Sequence, residues 1–266
     1  MTKVLNWEIN EQVAEEYVNA CIEAVDDENF SNFKQDPRYR HILEGGLKIT
    51  FDYFLNKIKT LDNNSIFFNN LELFRKNDLY GNPDLYDDPK IGKFSLTTLK
   101  YVYNALELVE YVKDSQINKI VEIGGGYGGL AVVLSGMLDF CEYTLIDLPE
   151  TCKLVDKYIS NYDDLKSKVK TLSCYDVDEY DFSNTDLTIA INSLSECNID
   201  YQMKYFEKII SKSKYSYIIR NLFSQKCIEE HNKTIQSLPD NFLFDDSNRV
   251  EENYSQNVIV YIKKQD

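Results

Sequence analysis

The stretch Lys119-Ile-Val-Glu-Ile-Gly-Gly-Gly-Tyr-Gly-Gly-Leu130 decides the fold. It opens with a β-branched run, continues with five glycines among six residues and leads into the mostly apolar residues 130–138. This order predicts a strand, a tight turn and a helix. Glycine lets the chain turn at positive φ and lets a ligand lie against the backbone, where the first N–H groups of the helix are unpaired. The sequence therefore predicts a ligand site at this turn.

Two classes of ligand use a turn of this kind. The glycines fit the spacing Gly-x-Gly-x-x-Gly of a dinucleotide site, and together with Glu122 they fit Glu-x-Gly-x-Gly-x-Gly. The second pattern resembles motif I of S-adenosylmethionine-dependent methyltransferases, in which the carboxylate can join a hydrogen-bond network around a cationic amino-acid cofactor. Asp147 ends a predicted strand 23 residues after Gly124, where a ribose-binding carboxylate is expected. The alternative role for Asp147 is a helix cap at an ordinary junction.

Composition and charge exclude several other classes of protein. The 266 residues include 29 Lys and Arg against 44 Asp and Glu, so the net charge of −15 repels nucleic acid and anionic membranes. No apolar run approaches the roughly 18 residues of a membrane span. The six cysteines contain no Cys-x-x-Cys pair, which argues against a zinc site or a disulfide framework. We expect a cytoplasmic protein with reduced thiols, no metal and a small-molecule partner.

Residues 1–115 are predicted to form a helical N-terminal region. Apolar residues recur at helical spacing over residues 11–25 and again over residues 39–61, where Gly45 and Gly46 interrupt the second helix. Residues 63–94 are too irregular for regular structure and too aromatic for a disordered linker, which favours a packed functional loop. Ser95 is placed to cap the next helix. We expect this region to cover the pocket and select the substrate, or to form a homodimer interface.

Residues 116–266 show strands that alternate with helices, which predicts an α/β domain with a mostly parallel, Rossmann-like sheet. The predicted strands cover residues 119–123, 143–147, 169–173, 187–192 and 215–220. Helices are expected after Gly128, Pro149, Asn198 and Phe223. Near the end of the chain, the apolar residues 242–244 and 258–262 are separated by the polar residues 245–256 without a helical pattern. This ending predicts a terminal antiparallel hairpin.

Ligands of open α/β sheets bind beyond the carboxyl ends of the strands, so the residues that directly follow each strand are candidates for the site. Asp176 follows the third predicted strand and is suited to an adenine amino group, with Val177 or Tyr175 against the ring, or it simply caps a turn. Asn192 and Ser193 follow the fourth strand and would face the methionine part of a cofactor or the substrate. The candidate cofactor-binding residues are Glu122, Gly124, Gly126, Tyr127, Asp147, Leu148, Asp176, Val177, Asn192 and Ser193.

Several motifs together resemble the bacterial sugar O-methyltransferases. They are Tyr80-Gly-Asn-Pro83, Phe94-Ser-Leu-Thr-Thr-Leu-Lys-Tyr101, Val121-Glu-Ile-Gly-Gly-Gly-Tyr-Gly-Gly129, Tyr143-Thr-Leu-Ile-Asp-Leu-Pro-Glu150, Asn184-Thr-Asp-Leu187 and Asn192-Ser-Leu-Ser-Glu196. The resemblance implies a class I methyltransferase fold, S-adenosyl-L-methionine as the cofactor and methyl transfer to a hydroxyl group. The implied acceptor is a sugar or a small anionic precursor of a surface polysaccharide, either capsule or lipopolysaccharide. The chain departs from the family at Lys100, where Arg is common, so a bidentate contact made there would be lost.

Methyl transfer from a sulfonium is an in-line displacement that needs an aligned acceptor oxygen and, for an alcohol, a group that takes its proton. Glu196, which follows the fourth predicted strand, and His41, which lies in a basic cluster, are the candidate catalytic bases. Each has an alternative role, Glu196 as the first-turn acid of the next helix and His41 as an ordinary surface histidine. An acceptor that is itself a phosphate-type oxyanion would need no base.

Three arginines and a tyrosine are candidates for binding the acceptor. Arg38, Arg40 and Arg220 could hold a phosphate or a carboxylate, although Arg38 and Arg40 are equally suited to solvent. Tyr80 could stack on a sugar ring. Two other functions stay open. One is an NAD-type oxidoreductase, which the glycine spacing and Asp147 also fit, and the other is a methyltransferase-like domain that binds the cofactor without catalysis.

Overall fold

The computed structural model of the chain describes residues 11–222, 224–252 and 255–265. The strands within them are β1 (Leu85–Asp88), β2 (Gly92–Ser95), β3 (Lys119–Ile123), β4 (Glu142–Asp147), β5 (Val169–Ser173), β6 (Leu187–Ile191), β7 (Tyr215–Asn221), β8 (Phe242–Glu252) and β9 (Ser255–Lys264). β1 and β2 form a small hairpin, and the other seven strands form one sheet in the order β5-β4-β3-β6-β7-β9-β8. The first five strands in this order, β5, β4, β3, β6 and β7, run parallel to one another. β9 is antiparallel to both β7 and β8.

This sheet confirms the expected α/β fold, with a Rossmann-like sheet that is mostly parallel and ends in an antiparallel hairpin. The chain enters at β3, runs outwards through β4 to β5 and then returns to β6, so the strand order reverses beside β3. In doubly wound sheets such a reversal opens a crevice at the carboxyl ends of the strands. Asp186 fixes β6 beside β3, because its Oδ2 accepts the N–H groups of Asn118 and Lys119, both at 2.9 Å.

The helices of the described residues are α1 (Glu11–Glu23), α2 (Asp27–Phe30), α3 (Pro37–Arg40), α4 (Lys48–Thr60), α5 (Ser65–Phe68), α6 (Leu71–Arg75), α7 (Leu96–Tyr111), α8 (Gly129–Leu134), α9 (Pro149–Ile159), α10 (Ile199–Lys208) and α11 (Gln225–Gln236). The helix expected after Phe223 is α11, and Phe223 itself lies outside the described residues. Within residues 11–222, 224–252 and 255–265, no helix has the length and apolar character needed to cross a membrane.

The N-terminal region differs from the sequence expectation in one segment. Residues 63–94 contain α5, α6 and the hairpin of β1 and β2, so the prediction that this segment lacks regular structure was wrong. Each of these elements has only four or five residues, too few for an apolar period to show in the sequence. The other boundaries agree. Gly45 and Gly46, with φ of +88° and +136°, separate α3 from α4, and Ser95 Oγ accepts the Thr98 N–H at 3.0 Å to cap α7.

Helices cover both faces of the sheet. Side chains alternate in direction along a strand, so Ile120 of β3 packs into one hydrophobic cluster and its neighbour Val121 into another. The first cluster includes residues of α7, α8 and α9 together with the N-terminal helices α1 and α4. The second includes residues of α10 and α11. The N-terminal helices therefore share a hydrophobic core with the sheet and lie on the same face as α7.

The terminal hairpin is longer than expected. β8 and β9 pair from Phe242 with Lys264 to Glu252 with Ser255, with an irregularity after Asp245. Most of the polar residues that separate the two apolar segments in the sequence thus lie within strands. An edge strand is held by backbone hydrogen bonds to one neighbour and need not be apolar on alternate residues. The polar sequence of residues 245–256 therefore gave no indication that most of them lie in strands.

Candidate active site

A cavity of about 380 Å³ lies at the carboxyl ends of the central strands, between these strand ends and the N-terminal helices. Residues at the ends of β3, β4, β6 and β7 form one side, and residues of α1, α4 and α7 form the other. The cavity lies where the strand order reverses, which is where ligands of open α/β sheets bind. Its volume is in the range of small-molecule sites.

The turn after β3 requires glycine at two positions that line the cavity. Gly124 and Gly126 have φ of +74° and +57°, in the left-handed region that other residues rarely adopt. A Cβ atom on Gly124 would lie 2.2 Å from Ser193 Cβ, and one on Gly126 would lie 2.7 Å from Leu43 Cδ1. The backbone of the turn is therefore in close contact with the loop after β6 on one side and with the N-terminal region on the other.

Glu122 is a buried carboxylate in the wall of the cavity. The Tyr143 hydroxyl donates a hydrogen bond to Glu122 Oε2 at 2.7 Å. This bond favours the charged carboxylate, but burial has the larger effect and raises the pKa of Glu122 to about 7. Burial disfavours the ionised form of the carboxylate in the free protein, and a cation bound beside it stabilises that ionised form. Glu122 therefore favours a positively charged group in this part of the cavity.

Asp147 ends β4 and faces the same turn. Its Oδ2 accepts the N–H of Gly126 at 3.2 Å, and its Oδ1 accepts the N–H of Leu148 at 2.8 Å. These two bonds fix the orientation of the carboxylate, which lines the cavity together with Leu148. Burial outweighs their effect on ionisation and raises the pKa of Asp147 to about 6. The remaining lone pairs of the carboxylate are available to a ligand.

The loop after β6 contributes three further polar residues to the cavity. Asn192 has φ of +62°, and its Oδ1 is buried without a hydrogen-bond partner among the described residues. The Ser193 hydroxyl donates to the carbonyl oxygen of Ile123, which ties the loop to β3. Glu196 follows in a short 3-10 turn, where burial and then the charge of Asp147 raise its pKa to about 7. This loop therefore supplies an unused acceptor and a carboxylate that titrates near neutral pH.

Negatively charged side chains outnumber positively charged ones in the lining of the cavity. Glu122, Asp147 and Glu196 are its three carboxylates, and Lys100 is the one cationic side chain among the described residues that line it. The carboxylates stand on or just after the strands β3, β4 and β6, whereas Lys100 stands on α7. A positively charged ligand is therefore favoured at the strand ends.

The N-terminal region forms much of the cavity wall, as expected, but the sequence did not identify which of its residues line the cavity. Tyr17 of α1, Leu43 before α4 and Phe54 of α4 all line the cavity. α7 contributes residues at the i, i+3, i+4 and i+7 positions of one helix face, which are Thr97, Lys100, Tyr101 and Asn104. Thr97, Lys100 and Asn104 place polar groups at helical spacing on a helix whose other residues are mostly apolar, and this is the sequence signal that could have identified them.

Three of the predicted cofactor-binding residues lie outside the lining of the cavity. Tyr127 is fully buried, and its hydroxyl accepts a hydrogen bond from Asn77 Nδ2 at 3.0 Å. Val177 is fully buried in the cluster beneath α10 and α11, and Asp176 is exposed to solvent. Their placement does not bring them to a ligand in this cavity. Cys174, at the end of the same segment, lines it instead.

The basic cluster around α3 also lies outside the cavity lining. Arg38 forms ion pairs with Glu23 and Asp36, both at 2.6 Å, and Arg40 forms one with Asp84 at 2.5 Å. These carboxylates already neutralise the two arginines, so the structure does not support their predicted role in binding an anionic acceptor. His41 and Tyr80 do not reach the cavity either. His41 is exposed at the end of α3, and the Tyr80 ring packs edge-on against Tyr158 and Tyr162.

Arg220 is directed away from the cavity, which corrects its predicted role in binding an anion there. The side chain is only 1% exposed, and it donates hydrogen bonds to Thr234 Oγ1 at 2.7 Å and to Gln202 Oε1. Its neighbours Ile219 and Asn221 line the cavity. Because side chains alternate along β7, Arg220 lies on the opposite face of the sheet, against α10 and α11.

Comparisons with known proteins found similarity only among solved structures, since no family model and no curated protein match the chain. The methyltransferase domain of bacterial CtHen1 is 10% identical, with 62% of this chain and all of that chain covered and a TM-score of 0.48. TrmN from Thermus thermophilus is 14% identical over 61% of this chain and 48% of that chain, with a TM-score of 0.47. The mitomycin 7-O-methyltransferase MmcR is 16% identical over 81% and 67%, with a TM-score of 0.45. Because these scores lie below 0.5, the fold assignment rests on the strand order.

Proposed function

We propose that the chain is an S-adenosyl-L-methionine-dependent O-methyltransferase. The observation that carries this proposal is the pair of carboxylates, Glu122 and Asp147, that line the cavity and lie against the glycine turn. The proposed cofactor offers a partner to each, because ribose hydroxyls suit one carboxylate and positive charge suits the other. A dinucleotide, whose phosphates are negative, would instead meet three carboxylates in the same cavity.

The residues at the strand ends fit such a cofactor. Asp147, which two backbone N–H groups hold in place, would accept hydrogen bonds from the ribose hydroxyls. Glu122 and the unpartnered Asn192 Oδ1 would accept hydrogen bonds from the ammonium group. Leu148 and Cys174 offer apolar contacts for the adenine ring. When bound, the cofactor supplies an electrophilic methyl group on a sulfonium.

Glu196 is the proposed general base. A pKa of about 7 makes it partly ionised near neutral pH, and a proton acceptor works best when its pKa is close to the working pH. The Glu196 carboxylate would take the proton that the acceptor hydroxyl loses on methylation. His41 is not retained in this role, because it is exposed and does not line the cavity.

The proposed acceptor is a sugar or a small precursor of a surface polysaccharide, as the sequence resemblance implies. Helices α4 and α7 would select it, because their side chains line the part of the cavity that the strand ends do not. A cytoplasmic location, a homodimer interface on the N-terminal region and the division of the chain near residue 115 stay predictions.

An NAD-type oxidoreductase is the second candidate, because the glycine turn also has the spacing Gly-x-Gly-x-x-Gly. The sign of the cavity charges opposes it, as does the antiparallel β9, which differs from the six-stranded order of dinucleotide-binding sheets. A domain that binds the cofactor without catalysis is the third candidate, and only turnover distinguishes it from the first.

Methyl transfer can be measured directly with a cofactor labelled in its methyl group. Purified protein would be incubated with this cofactor and a panel of hexoses, hexuronic acids and hexose phosphates, and the labelled products would be counted. We expect transfer by the wild type and a rate lower by roughly 10² to 10⁴ in Glu196→Gln, which is the usual contribution of a general base. Cofactor binding without a labelled product from any acceptor would favour the non-catalytic domain.

A further inference from the structure

We propose that the end of the cavity formed by α4, α7, β7 and β9 binds a carboxylate or phosphate group of the acceptor, and that Lys100 supplies the positive charge. This inference rests on the proposed function, because it assigns the acceptor end of the same cavity. It replaces the arginines expected from the sequence, whose side chains are directed elsewhere.

This end of the cavity is separate from the glycine turn. Ile219 and Asn221 come from β7 and Ile259 comes from β9, which are two and three strands away from β3 in the sheet. At about 4.8 Å between neighbouring strands, these positions lie about 10 Å and about 14 Å to one side of β3. Phe54 of α4 and Lys100 of α7 line the same cavity. Phe54 lies on the β7 side of it, because its ring contacts Tyr103, whose hydroxyl shares Glu107 with the hydroxyl of Tyr217 on β7. We call this group of residues, together with Asn104, the acceptor wall.

Lys100 carries an unpaired charge. It forms no ion pair or hydrogen bond with any residue in the described part of the chain, whereas Lys48, Lys204 and Lys214 each pair with a nearby carboxylate. Its Nζ lies 5.5 Å from the centre of the Phe54 ring, an attractive but weaker contact. A half-buried ammonium group without a counter-charge costs free energy, and an anionic ligand would remove that cost.

Two amide side chains of the acceptor wall are also unused. Asn104 is 8% exposed and stands four residues after Lys100, on the same face of α7. Neither its side chain nor that of Asn221 hydrogen-bonds to any residue within 11–222, 224–252 and 255–265. Tyr103 is different, because its hydroxyl already donates to Glu107 Oε1 at 2.8 Å. One ammonium and two amide groups are therefore available to donate hydrogen bonds to an anionic oxygen.

The other groups of the acceptor wall are apolar. Phe54, Ile219 and Ile259 offer flat hydrocarbon surface beside the three donors. Such a surface suits the carbon face of a ring, while the donors suit an oxygen-rich group attached to it. The chemistry that fits is a small hydroxylated ring compound that carries a carboxylate or a phosphate. The carboxylates at the strand ends favour the positively charged cofactor, whereas Lys100 favours an anionic acceptor. The two ligands would therefore bind at different ends of the cavity.

The test compares three hexose derivatives that differ only in the group at C6, which is an anion in two of them and a neutral hydroxymethyl group in the third. Glucuronate, glucose 6-phosphate and glucose would each be titrated calorimetrically into the protein saturated with S-adenosylhomocysteine. The wild type should bind at least one of the two anions about tenfold or more tightly than glucose, as expected for a hydrogen bond to a charged group. Comparing the two anions identifies the carboxylate or the phosphate as the preferred group.

Three variants complete the test. Lys100→Met should lose the preference for the anion, Lys100→Arg should keep it, and Lys153→Met, which removes an exposed lysine of α9, should behave like the wild type. Unfolding temperatures confirm that each variant is folded. A wild type that binds the anions no better than glucose, or a folded Lys100→Met that keeps the preference, would overturn the inference. If S-adenosylhomocysteine does not bind to the wild type, the proposed function fails separately, and the same titrations of the unliganded protein still decide whether Lys100 holds an anion.

Discussion

Replacing Asp147 by Asn changes the charge of the proposed cofactor site and nearly keeps the volume of the side chain. In the structure, the two carboxylate oxygens accept the N–H groups of Gly126 and Leu148. An amide can accept at only one of these positions, because its other group is an NH₂ donor. Asp147→Asn therefore removes one of the bonds that orient the side chain and weakens it as an acceptor for ribose hydroxyls.

The size of the effect follows from the type of bond that is lost. A hydrogen bond to a charged group contributes about 1.5–3 kcal/mol, and 1.4 kcal/mol corresponds to a tenfold change in Kd. Loss of one such contact should weaken binding of S-adenosylhomocysteine by about 10- to 150-fold. The free protein should lose much less stability. Burial already raises the pKa of Asp147 to about 6, so its ionised form is disfavoured before the ligand binds.

The assay is a calorimetric titration of the wild type and two variants with S-adenosylhomocysteine. Asp163→Asn is the matched control, because Asp163 is an exposed carboxylate that pairs with Lys166 at the surface. The control should bind like the wild type, and thermal unfolding should show that both variants are folded. A folded Asp147→Asn protein with wild-type affinity would refute the role of Asp147 in binding the ribose.

Three further outcomes are expected. Glu196→Gln should lower kcat by roughly 10² to 10⁴ and leave the Kd for S-adenosylhomocysteine nearly unchanged, as steady-state rates and calorimetry would show. The affinity for S-adenosylmethionine should rise from about pH 5 to about pH 8, as Asp147 (pKa about 6) and Glu122 (pKa about 7) lose protons and attract the cation. Over the same range the free protein should lose stability, because the native state then holds more protons than the unfolded chain, and unfolding at stepped pH checks this sign. Arg220→Met should lower the unfolding free energy in urea by about 1–3 kcal/mol, because it leaves two buried acceptors unmatched, without changing the affinity of the folded protein for S-adenosylhomocysteine.

The central strands were predictable because their signal is local. Residues 119–123 and 169–173 match β3 and β5, and the other parallel strands differ from their predictions by one residue at one end. β3, β4, β6 and β7 are mostly buried, so they appear in the sequence as short, largely apolar runs between turns. β5 lies at the edge of the sheet and is only partly buried, but it keeps the same short length between turns. β8 carries no such run, because pairing with β9 holds it at the edge of the sheet.

That Glu122, Asp147 and Asn192 line one cavity was predictable for a related reason. Glu122, Asp147 and Asn192 each lie at or next to the carboxyl end of a parallel strand, and the fold brings all such ends to one edge. Sequence position alone did not settle which neighbour faces the cavity. Arg220 stands one residue from the end of β7, but the alternation of side chains turns it to the opposite face of the sheet.

The acceptor wall was not predictable in this way. Phe54 and Lys100 are separated from the strand ends by many residues, and only the packing of α4 and α7 on the sheet brings them to the cavity. Their apolar periodicity predicts which faces of these helices are buried but not which ligand a polar residue on such a face would meet. The pairing of Arg38 and Arg40 with carboxylates is likewise a tertiary outcome.

The most direct test of the central claim is a calorimetric titration of the purified protein with S-adenosylhomocysteine, with NADH titrated in parallel. The three carboxylates of the cavity predict micromolar binding of S-adenosylhomocysteine and no binding of NADH. Binding of NADH alone would contradict this account and would favour the oxidoreductase.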